Sequence, residues 1–91
     1  MAKYQLRELE TVPGEIPGTY YENTSYLINE YEIKDDATSK QEKRAFLREI
    51  HKAGFKCKRG ACRVVFDWDL TILEERKTGR PLFVALFLNE W

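Results

Sequence analysis

One stretch of this sequence has helical periodicity, and it constrains everything around it. Phe46, Leu47, Ile50 and Ala53 recur at spacings of three, four and seven, so they line a single helix face. Ser39 followed by Glu42 reads as a capping box, in which hydroxyl and carboxylate each satisfy a free backbone N–H of the first turn. Gly54 then supplies a left-handed C-terminal cap. The helix predicted at about 39–53 has no second helix to pack against, so its apolar stripe must be buried on a sheet.

The flanks supply that sheet. Residues 3–9 alternate as a short strand, and the two Pro-Gly steps of 12–18 make a turn. Residues 19–34 are rich in Tyr, Thr and Ile without Pro or Gly, and form either one long bent strand or a hairpin breaking near Asn23-Thr24. Sixteen residues exceed the usual strand length, which favours a break or a bulge. After the helix, residues 55–58 can add a short strand, and 62–73 form a longer one. Residues 82–88 are an apolar run of the kind found inside a sheet. The expected fold is α+β, an antiparallel sheet of three to five strands packed on one amphipathic helix, in the order β-β(β)-α-(β)-β-β. A single domain spans 1–91. Its expected core is Phe46, Leu47, Ile50, Val64, Phe66, Trp68, Leu70, Val84 and Leu86.

The segment 62–75, CRVVFDWDLTILEE, raises a chemical question. Val64-Val65-Phe66 leads into Asp67-Trp68-Asp69-Leu70-Thr71, which resembles the nucleophile motif of the haloacid-dehalogenase-like phosphatases. That resemblance implies Asp67 as nucleophile, Asp69 as acid/base and a magnesium-dependent phosphoryl transfer. Two departures weigh against it: Leu70 stands where the family usually has glycine, and the twenty residues after Thr71 read mostly as a hairpin instead of a doubly wound domain. Simple alternation accounts for the same letters. Val64, Phe66, Trp68, Leu70 and Ile72 fall on one face of a strand, with Asp67 and Asp69 on the wet face. The strand reading is preferred, and no enzyme is expected.

No other constellation assembles a catalyst, a cofactor site or a metal site. Cys57 and Cys62, with His51 six residues before, are at most half a zinc ligand set at an unusual spacing. They read as small apolar residues at adjoining strand ends. Two cysteines are too few for a disulfide scaffold and fit a reducing cytosol. The first ten residues lack an apolar signal core, and no run approaches the roughly 18 apolar residues of a membrane span. A cytoplasmic protein without membrane contact is the expectation.

Charge is what points to partners. The chain is neutral as a whole, yet residues 1–36 hold eight acids against three bases and residues 37–91 hold twelve bases against seven acids. On the helix Lys40, Arg44, Arg48 and Lys52 recur every four residues, and Lys56, Lys58, Arg59 and Arg63 continue the charge. Such a row can lie along phosphates, so a non-enzymatic regulatory protein contacting nucleic acid through 40–63 is the first reading. The alternative is a protein-binding inhibitor or adaptor acting through an acidic tyrosine surface within 15–36, with Tyr20, Tyr26, Glu30, Tyr31 and Glu32 at its centre. The complementary poles also permit self-association.

Overall fold

The computed structural model describes residues 1–88 and orders them as β1 (Ala2–Pro13), β2 (Tyr20–Ile33), α1 (Ser39–Lys52), β3 (Cys62–Asp67), β4 (Leu70–Glu75) and β5 (Pro81–Leu88). The strands make one antiparallel sheet in the spatial order β2-β1-β5-β4-β3. The class is α+β. The helix lies between β2 and β3, and the expected order is corrected at one point. Residues 55–58 form no strand, and the additional strand after the helix arises because 62–73 splits in two.

The helix starts one residue from where its sequence suggests. Thr38, not Ser39, is the N-cap. The Thr38 hydroxyl accepts from the Gln41 N–H at 3.2 Å, and Gln41 Oε1 accepts from the Thr38 N–H at 2.9 Å. Gln41 therefore does the work expected of Glu42, whose carboxylate is left out of the cap. At the other end Gly54 adopts φ 93°, a left-handed conformation that stops the helix.

β1 and β2 are joined through residues 14–19, where Gly14 N–H donates to the Thr19 carbonyl at 2.8 Å. Pro13 is tolerated in β1 because β5 pairs only with Lys3 to Glu8, so no neighbour on that side needs its missing N–H. β2 is one strand and not a hairpin, and two register shifts absorb its length. Asn23 and Ile28 are skipped in the pairing, bulging the strand.

The largest correction falls on 62–73. Asp67 pairs with Leu70, leaving Trp68 and Asp69 as a two-residue hairpin loop. Residues directly opposite in a ladder share a face, so the loop inverts the alternation. Val64 and Leu73 face the helix, while Val65 and Ile72 face away with Leu70. Trp68, expected in the core, is 98% exposed at the loop, and Phe66 is half out of it. A two-residue hairpin loop also falls inside the Asp67–Thr71 motif, and an antiparallel strand follows it where the phosphatase resemblance implies a doubly wound domain.

The core lies between α1 and one face of the sheet. Phe46 and Ile50 of α1 meet Leu6, Tyr31, Ile33, Leu73, Phe83 and Ala85. Leu47 and Val64 pack at its margin, whereas Leu70, Val84 and Leu86 belong to the other face. β5 is apolar throughout because it lies between β1 and β4 and meets the core with Phe83 and Ala85, Leu82 packing beside them. Its alternate residues Val84 and Leu86 join Leu9, Leu70 and Ile72 in an apolar strip across the opposite face.

Tyr31 stacks on Tyr4 with ring centroids 5.5 Å apart. Burial, then the neighbouring Tyr4, Glu49 and Glu42, push its phenol far above the ordinary value of 10.0. The unfolded chain loses this proton near pH 10, while the folded one keeps it. Stability from this group is therefore intact below about pH 10 and declines above it. Urea unfolding midpoints measured from neutral to about pH 11 should fall less steeply for Tyr31→Phe than for wild type.

Candidate functional site

Helix geometry sets the basic row. α1 turns its Phe46–Ile50 stripe to the sheet, and residues four apart form a row that drifts about 40° around the helix per step. Lys40, Arg44, Arg48 and Lys52 are all exposed there. Arg44, Arg48, His51 and Lys52 surround the half-buried Leu47 in a shallow depression. Lys52 pairs with Glu49 at 3.6 Å, and Glu49 also accepts from Asn29 Nδ2 at 3.3 Å. Lys40, Arg44 and Arg48 make no ion pair with another described residue.

The charge continues past the helix, with one loss. Lys56, Lys58 and Arg59 are exposed in the connection to β3. Arg63 leaves the set, because its neighbours Cys62 and Val64 pack toward the core and it projects from the other face, paired with Glu74. Period-two alternation separates it from the helix row.

The connection is also cross-linked. Cys57 and Cys62 form a disulfide with Cα atoms 6.1 Å apart, both half-buried against the core. The expectation of two unpaired cysteines is thus corrected, and with it one ground for a reducing compartment. The six-residue ring holds Lys58 and Arg59 beside the start of β3, and closing so short a ring contributes about 2 kcal/mol in the chain-entropy account. Cys57→Ser/Cys62→Ser should lower the unfolding free energy by that amount, read from urea curves. Reduction of the wild type should bring the two proteins together.

The acidic tyrosine segment does not make one surface. β2 is a strand, so its side chains divide between two faces. Tyr31 is in the core at 8% exposure, which removes it from the protein-binding set. Tyr20 and Glu22 border the apolar strip away from the helix, whereas Tyr26 lies on the helix side. The Tyr26 hydroxyl donates to Glu10 Oε2 at 3.1 Å, and that bond raises the phenol above its ordinary value. Glu30 is exposed and pairs with Lys3 at 3.7 Å, and Glu32 is exposed beside the core residues Tyr31 and Ile33.

Sequence reasoning missed a cleft at one end of the sheet. Tyr4, Phe66, Trp68 and Phe87 frame it, with Glu42 of α1 and Asp69 of the β3–β4 loop alongside, around a volume of about 290 Å³. Tyr4 meets Phe87 edge-on, ring centroids 5.5 Å apart. Partial burial, then the charges of Glu42 and Asp69, raise the Tyr4 phenol above its ordinary value. No turn residue of the usual kind marks this loop in the letters, and it is the pairing of Asp67 with Leu70 that projects Trp68 outward.

Among the described residues, no helix is long and apolar enough to cross a membrane. Among the described residues, no three His, Cys, Asp or Glu side chains gather closely enough to hold a metal ion. No family model matches this chain, no curated protein is significantly similar to it, and no solved structure matches its fold.

Proposed function

We propose that this protein is a non-enzymatic binding module that docks on nucleic acid through the outer face of α1 and the connection that follows. The carrying observation is the exposed row Lys40, Arg44, Arg48 and Lys52, followed by Lys56, Lys58 and Arg59 on a cross-linked loop. A row of cations drifting along one side of a helix can lie along a phosphate backbone and release its counterions. Phosphate contacts position a protein without reading sequence, so the binding is expected to be largely independent of base order. The compartment enters through the disulfide. In an oxidising setting the loop is held, and in the cytosol a dithiol would leave it freer.

The acidic tyrosine surface is the weaker reading, because Tyr20 and Tyr26 lie on opposite faces and Tyr31 is buried. Fluorescence anisotropy of labelled duplex DNA and single-stranded RNA at two salt concentrations tests the proposal. Micromolar binding that weakens steeply with salt is the expected result. Absence of any salt-dependent binding in that range would end it.

A further inference from the structure

None of the basic row lines the aromatic cleft, and although Tyr4 packs against the core, the other three rings are left largely open. Phe66 and Phe87 leave 44% and 38% of their surface in water, and Trp68 leaves 98%. Trp68 also holds φ 53°, a left-handed backbone in which a residue bearing a Cβ loses roughly 1–2 kcal/mol. Glycine is the usual occupant of that first loop position. Folding alone gives no reason to keep the largest apolar side chain at a strained and fully solvated site, and observed strain of this kind is a pointer to function. Glu42 and Asp69 supply the second observation. Neither carboxylate forms an ion pair with another described residue.

We infer that this cleft receives an arginine side chain of a partner protein, stacked on Trp68 and Phe66 and donating to Glu42 and Asp69. Two unneutralised carboxylates beside electron-rich ring faces favour a cation. A hard metal ion wants six or more oxygens, which two carboxylates among aromatic rings do not provide. Lysine carries a compact, strongly hydrated charge that loses water at a cost against apolar walls. Guanidinium is planar, weakly hydrated and forked, so it stacks on a ring and bonds carboxylates along its edge. The volume of about 290 Å³ suits one long side chain and is small for a buried cofactor. None of the residues assigned to nucleic acid takes part.

The test is an NMR and calorimetric titration with the blocked peptide acetyl-Gly-Arg-Gly-amide, its lysine and citrulline analogues, and choline. Saturable shifts at Phe66, Trp68 and Phe87 are expected with the arginine peptide, and binding at least tenfold weaker with the other three. Glu42→Gln/Asp69→Asn should weaken the arginine peptide tenfold or more. Trp68→Gly should do the same while unfolding at equal or higher urea concentration than wild type, so its loss of binding is not loss of fold. Affinity of Trp68→Gly for DNA should be unchanged, which separates a failure here from a failure of the nucleic-acid reading. Equal binding of the citrulline peptide, a preference for lysine or choline, or undiminished binding by the carboxamide variant would overturn the inference.

Discussion

Arg44→Glu/Arg48→Glu/Lys52→Glu should bind duplex DNA roughly 100-fold or more weakly than wild type at about 100 mM salt. Three of the seven cations left after Arg63 departs are reversed, and each reversal removes a counterion-releasing contact and adds a repulsion. The slope of log affinity against log salt should shallow by about three, at about 0.9 per lost phosphate contact. All three side chains are exposed, and only Lys52 is ion-paired, with Glu49. Exposed pairs of that kind are worth at most about 1 kcal/mol, so the helix should remain docked with an unchanged circular dichroism spectrum. Anisotropy titrations at several salt concentrations check both numbers. An unaltered slope would place the nucleic acid elsewhere on the protein or remove it altogether.

Phe46→Ala should destabilise the protein by about 3–5 kcal/mol, measured by urea unfolding. The ring is fully buried, and with Ile50 it is one of only two buried side chains by which α1 holds the sheet among the described residues. Its removal leaves a cavity where helix meets Leu6, Tyr31 and Phe83, and one helix cannot collapse into that space without tilting off the strands. A domain of this size has roughly 5–15 kcal/mol in total, so the variant should be partly unfolded at room temperature. The same change should weaken nucleic-acid binding indirectly, because a loose helix no longer holds its row of cations in one arrangement. A loss below about 1 kcal/mol would mean that α1 does not hold the sheet through this ring.

The helix and the apolar strand β5 were legible because each has a period that one residue's change does not disturb. The cap was misplaced by one residue because Thr38 and Ser39 are both competent N-caps, and Gln41 and Glu42 are both competent partners. Trp68 was misread for a sharper reason. Its alternation with Asp67 and Asp69 is indistinguishable from a continuing strand until pairing is known, and the structure pairs Asp67 with Leu70. Arg63 and Tyr31 were lost from their expected surfaces by the same parity rule, which assigns a side chain to a face only once the register is set.

Local physics within the chain therefore determined the α+β class, the amphipathic helix with its glycine stop, and the exposed basic row. These depend on spacing along one element. Tertiary structure alone decided the hairpin at Trp68, the two faces of β2, the Cys57–Cys62 bond and the aromatic cleft with Glu42 and Asp69. Each joins residues from different elements. A periodic pattern shows that one side of an element is apolar, but which neighbour it meets is set by strand order and register, and those are properties of the assembled sheet.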